Sequence, residues 1–134
     1  MGETTVSPFA FSKVAPIFSN LPEPKSDVNI RTMEEYDQGF GSIIYQTTLP
    51  ELANGGFLTV NDPHDYAQVF VDGKYIGTLD RRNGEKQLSL PPCKKGSRLD
   101  IFVEAMGRIC LLWTDFPDSA DSVSVYVYKT FAPF

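Results

Sequence analysis

Apolar and polar side chains alternate along most of this chain with a period of two, which is the repeat of a half-buried β-strand. The clearest stretch is D-Y-A-Q-V-F-V-D-G-K-Y-I-G-T-L-D (65–80). Asp72-Gly73 lies between its two alternating runs, and such a pair predicts a hairpin closed by a type I′ turn with positive φ at both central residues. Tyr66, Gln68, Phe70 and Asp72 would share one face, and Ala67, Val69 and Val71 the other, with the small aliphatic face toward the core. Beyond the turn, Tyr75, Gly77 and Leu79 alternate with Ile76, Thr78 and Asp80. The same period predicts strands over 42–49, 57–61, 86–90, 98–105 and 123–129, separated by Asn54-Gly55-Gly56, Asp62-Pro63, Asn83-Gly84, Pro91-Pro92 and Lys94-Lys95-Gly96. Seven short strands, turns at near-regular spacing and no helix of any length predict an all-β fold: an antiparallel β-sandwich or jelly roll.

The first 35 residues read differently. Pro8, Pro16, Pro22 and Pro24 favour extended backbone and exclude a continuous helix, so 1–35 is expected to be an extended arm leading into a single sandwich domain over 36–134. Phe9, Phe11, Val14, Ile17, Phe18 and Leu21 make that arm apolar for a linker. Either it lies along a groove of its own domain or it packs against another one. Thr32-Met33-Glu34-Glu35 fits the S/T-x-x-E pattern and predicts a single capped helical turn.

The chain of 134 residues has 42% hydrophobic and 22% charged residues, the composition of a folded globular domain with room for one core. A net charge of −5, with no basic stripe to follow a phosphate backbone, argues against nucleic acid and against an anionic membrane surface. No apolar run approaches the roughly 20 residues that span a bilayer. The first residues lack the basic-then-apolar layout of a signal peptide, so the compartment stays open, export of a parent enzyme included. Cys93 and Cys110 permit one disulfide at most, and two unpaired thiols are the plainer reading.

Four blocks in order, G-F-G-S-I-I-Y-Q-T-T-L-P (39–50), V-N-D-P-H-D-Y-A-Q-V-F-V-D-G-K (60–74), G-T-L-D-R (77–81) and L-D-I-F-V-E-A-M-G-R-I (99–109), resemble the β-domain of family 35 β-galactosidases. The likeness covers roughly residues 10–109. It implies a galactose-binding-domain-like jelly roll that, in those enzymes, follows a catalytic (β/α)8 barrel, and it implies that barrel as the partner. The barrel and its two catalytic glutamates are absent from this sequence. The family's Asn-aromatic-Gly turn after M-G-R-I is replaced by Cys110-Leu111-Leu112-Trp113, and the tail to Phe134 departs from the family.

Candidate chemistry is sparse. A retaining glycosidase needs two carboxyl groups about 5 Å apart with one kept protonated. Glu34, Glu35, Asp37, Asp62, Asp65, Asp80, Asp100 and Glu104 fall mostly at strand ends and turns, where carboxylates accept local hydrogen bonds, so no catalytic residue is assigned. Asp62, His64 and Asp65 hold the sole histidine. With no second histidine or cysteine cluster they are read as loop-stitching polar groups, and no metal or other cofactor is expected. Glu104 and Arg108 flank the end of a core strand and could pair to order the Gly107 turn. Sugar recognition would need an exposed aromatic ring beside hydrogen-bonding groups. Trp113, Tyr36, Gln38 and Arg81 are the candidates for contact with galactosides, against the alternatives of a plug for the sandwich end and a solvated hairpin end. An accessory domain of a glycosidase is the leading expectation, and an autonomous carbohydrate-binding module is the alternative.

Overall fold

The computed structural model describes residues 10 and 12–106, and the backbone of 125–130. Phe9, Phe11, Arg108, Cys110 and Trp113, singled out above, lie outside the described residues. The described residues form eight strands: β1 (Lys25–Asp27), β2 (Ser42–Thr48), β3 (Gly56–Thr59), β4 (Tyr66–Val71), β5 (Lys74–Asp80), β6 (Gln87–Leu90), β7 (Arg98–Glu104) and β8 (Val125–Thr130). Six form one antiparallel sheet in the order β1-β8-β2-β7-β4-β5, while β3 and β6 pair as a second, two-stranded sheet. Helical backbone among the described residues is confined to three single 3₁₀ turns.

The hairpin forms as its sequence dictates. Asp72 and Gly73 have φ of 50° and 78°, and the Asp72 carboxylate accepts the Arg98 backbone N–H at 2.7 Å, which ties the turn to the start of β7. Ala67, Val69 and Val71 are buried on one face of the large sheet, beside Leu99 and Val103 of β7, Ile43 of β2 and Leu79 of β5. The β3–β6 layer closes over part of this face, with Leu90 buried and Leu58 and Leu88 packed against Val69, Val71 and Leu99. Gly77 lies at a close contact between the layers: a Cβ there would stand 2.8 Å from Leu88 Cδ1.

Two features depart from the sequence reading. A bulge between Val69 and Phe70 pairs Val69 with Gly77 but Phe70 with Tyr75. The extra residue breaks strict alternation, so Ile76 joins the core cluster while Tyr75 sits beside Phe70 on the opposite face, ring centroids 5.6 Å apart. The other departure is β1, a strand within the proline-rich segment, paired antiparallel to β8. Its Lys-Ser-Asp sequence has no apolar alternation to announce it. Pro24, lacking an N–H, stands just before the first strand residue at the sheet edge, where proline is tolerated. Phe18 packs edge-on to Phe70 at 5.1 Å, so the segment also touches the sheet at a second point.

The opposite face of the large sheet is partly polar. Asp100 is fully buried there, accepting from Gln46 Nε2 at 2.7 Å and from Arg98 Nε at 2.8 Å. These bonds satisfy a carboxylate that would otherwise be costly to keep from water.

Leu79→Ala should lower unfolding free energy by about 2–5 kcal/mol, the cost of a cavity in a dense core. Phe18→Ala should cost about 1 kcal/mol through loss of an edge-to-face ring pair. Urea denaturation of the two variants against the unsubstituted chain checks both values.

Candidate functional site

The polar residues concentrate where β5 ends. Asp80 is the cap of the turn Arg81–Asn83, its carboxylate accepting the Arg82 N–H at 2.9 Å, and Gly84 closes the turn with φ of 69°. The Glu85 side chain returns to accept the Asp80 N–H at 2.9 Å. Two consecutive arginines leave this turn toward different acids. Arg82 grips Asp80 through Nη2 at 2.6 Å and Nε at 3.0 Å, and Arg81 Nη1 meets Asp65 Oδ1 at 3.0 Å.

Asp65 is also fixed by its backbone, donating to the Glu104 carbonyl at 3.2 Å and accepting from the Arg81 N–H at 3.1 Å. His64 continues the chain of contacts, with Nε2 at 2.7 Å from Asp62 Oδ1 and Nδ1 at 3.8 Å from Asp65 Oδ1. Asp62, His64, Asp65 and Arg81 are therefore brought together. Asp80 and Arg82 form a separate pair beside them. Burial opposes ionisation of Asp80, but the Arg82 hydrogen bonds outweigh it and hold the carboxyl below its ordinary range, while Arg82 is pushed up in return. Among the described residues no group of three or more His, Cys, Asp and Glu side chains is arranged to hold a metal ion.

Glu104 ends β7 opposite Tyr66 and is exposed. With Tyr66, Arg82 and Met106 it lines an open cleft of ≈ 280 Å³ at this end of the sandwich. Phe40, 60% exposed, borders the same end, since Gly41 next to it accepts the Ala105 N–H at 3.2 Å. Sequence reasoning did not single out Tyr66, Arg82 or Met106 as a group. Their proximity follows from the pairing of β4 with β7 and from the turn after β5, neither of which a local motif encodes. A larger groove of ≈ 520 Å³ lies at the other end of β4 and β7 and includes Lys74, Cys93 and Lys94.

Tyr36 and Gln38 sit elsewhere, and both are buried, at 4% and 2% exposure. Thr32 donates its N–H and hydroxyl to Glu35 Oε2, the glutamate half of the S/T-x-x-E pattern, while the turn Glu34–Tyr36 starts from Met33 without a side-chain cap. The Tyr36 ring joins Met33 and Ile43 in the core, and its hydroxyl donates to the Asn29 carbonyl at 3.2 Å. Burial and the nearby Asp27 carboxylate push its phenol up. Gln38 donates from Nε2 to the Phe40 carbonyl at 2.6 Å. Neither side chain offers an open face to solvent.

Asp80→Asn keeps one oxygen to cap the turn, removes the charge and puts an amide donor where the second oxygen accepted from Arg82 Nη2. A carboxyl whose folded value lies below its ordinary 3.8 contributes stability that is complete above 3.8 and is lost as pH falls through the folded value. The variant should therefore unfold at lower urea than the unsubstituted chain near roughly pH 6, with the gap narrowing toward roughly pH 2, as midpoints at the two pH values would report.

The family model for "Beta-galactosidase, first all-beta domain" matches residues 31–113. A β-galactosidase of Xanthomonas manihotis is 32% identical over 106 residues, 79% of this chain and 18% of that protein. Beta-galactosidase 17 of Arabidopsis thaliana is 33% identical over 114 residues, covering 76% of this chain and 16% of the plant protein. Human β-galactosidase is 40% identical over 81 residues, 58% of this chain and 12% of its own length. The chain thus spans less than a fifth of each of these relatives. The four sequence blocks, the antiparallel layers and the extent of the match agree: this chain belongs to the family of the first all-β domain of β-galactosidases.

Proposed function

We propose that this chain serves as a non-catalytic accessory domain, bracing the catalytic barrel of a β-galactosidase-type glycoside hydrolase. The observation that carries this reading is how the acids are held. Asp65 meets Arg81, Asp80 meets Arg82, Asp100 meets Arg98 and Asp62 meets His64. Retaining glycoside hydrolysis needs one carboxyl kept protonated near neutrality beside a second that is ionised. Asp80 is displaced in the direction opposite to that of such a proton donor, because its guanidinium partner favours the charged form. The acids of this domain act as local ties between turns and strand ends.

A second reading, contact with a galactoside, is favoured by one feature. The cleft of Tyr66, Arg82, Glu104 and Met106 combines an aromatic ring and a thioether with charged hydrogen-bonding groups, the mixture that sugar sites use. It would supplement the bracing role.

The purified chain should release no chromophore from a nitrophenyl β-galactoside, and sustained turnover would overturn the non-catalytic reading. Titration with galactose and lactose, followed by amide NMR, tests the cleft. Shifts confined to Tyr66, Arg82, Glu104 and their neighbours would support contact, and unmoved spectra at tens of millimolar sugar would remove it.

A further inference from the structure

We propose that the groove at the Asp72–Gly73 end of the sandwich binds an anionic saccharide, a sugar bearing carboxylate or sulfate groups, an inference that rests on reading the chain as part of a glycoside hydrolase. The groove encloses ≈ 520 Å³, within the range of roughly 300–1,000 Å³ typical of small-molecule sites. It opens at the end of the core, where Val71 is buried and Ile76 half-buried, and Pro91 and Pro92 add exposed aliphatic rings to its lining. Such a surface suits the C–H face of a sugar ring.

Two ammonium groups set its charge. Lys74, just past the hairpin turn, and Lys94, in the loop after β6, line the groove together with one acid, Asp72. Every ion pair among the described residues is made by an arginine or by His64, and neither of these lysines takes part in one. The groove is thus a cationic spot on a chain whose net charge is −5. A neutral sugar gives the ammonium groups nothing to neutralise, whereas a carboxylate or sulfate accepts charge-assisted hydrogen bonds from both.

The walls are set in advance. Asp72 donates its N–H to the Arg98 carbonyl at 2.8 Å, and its carboxylate accepts the Arg98 N–H at 2.7 Å. The loop carrying Lys94 is fixed at both ends: Cys93 and Leu52 exchange N–H···O bonds of 3.1 and 3.0 Å, and the Gly96 N–H reaches the Leu49 carbonyl at 2.9 Å. A ligand therefore meets backbone that needs little further ordering. Pro91 and Pro92 offer no N–H, so their wall cannot extend a peptide strand by a ladder of backbone bonds, which favours a compact ligand over an extended peptide.

The test titrates the purified chain, followed by amide NMR, with galacturonate, a sulfated galactose and lactose, and with acetate and sulfate as the bare ions. The anionic sugars should shift Val71, Ile76, Ser97 and their neighbours with dissociation constants on the order of 1 mM. Raising salt from about 20 to about 200 mM should weaken that binding several-fold. Lys74→Gln combined with Lys94→Gln should cut affinity about ten-fold while leaving Tm within about 2 °C, since both side chains are exposed. A response to only one of the two anionic sugars supports the site and identifies the charged group it reads. Equal shifts with lactose, equal shifts with the bare ions (an adventitious ion only), an unaffected double variant, shifts confined to Tyr66, Arg82 and Glu104, or unmoved spectra at tens of millimolar sugar would each overturn it. None of these outcomes touches the non-catalytic reading, which stands or falls with turnover of the nitrophenyl galactoside.

Discussion

Two strands cannot cover six. Strands in a sheet lie about 4.8 Å apart, so the β3–β6 layer shields only a band of the large sheet's apolar face. Among the described residues, the rest of the cover on this face is irregular backbone. Met33 and Tyr36 come from a single 3₁₀ turn, Val60 from the residue after β3, and Leu52 and Cys93 from an isolated bridge beside the smaller layer. The close approach at Gly77 is part of the same arrangement, since a narrow cover must sit tightly where it sits at all.

That shortage of cover explains where the polar chemistry lies. Loops that fold inward to finish a core bring their backbone groups with them, and those groups need partners. The tyrosine hydroxyls of Tyr36 and Tyr45 reach the carbonyls of Asn29 and Arg31, and Gln38 reaches that of Phe40. At the opposite flank, Asp65, Asp80 and Glu85 tie the turn after β5 to its neighbours. These carboxylates hold the turn after β5 to the strand ends around it.

Much of this was legible in advance. The hairpin and its inward aliphatic face follow from a period of two and one Asp-Gly pair, both strictly local signals. The break in alternation at Tyr75 is not legible in this way, because a bulge depends on how two strands pair, and pairing is not written into either strand alone. The strand Lys25–Asp27 was missed for a related reason: its stability comes from β8, nearly a hundred residues away in sequence, and from Pro24 presenting an edge rather than from its own side chains. Tyr36 and Gln38, candidates for sugar contact by sequence, are buried, because the turn Glu34–Tyr36 carries the chain inward. The grouping of Tyr66, Arg82 and Glu104 is likewise a product of topology.

The outermost strand has a bearing on how such modules can be moved between proteins. The family match begins at residue 31, but hydrogen bonding in the sheet begins at Lys25. A cut made where the family match begins would strip β8 of its neighbour β1 and leave a bare row of amides and carbonyls, an invitation to pair with another molecule. Genetic exchange of this unit would then favour breakpoints upstream of Lys25, where a cut spares the outer edge of the sheet.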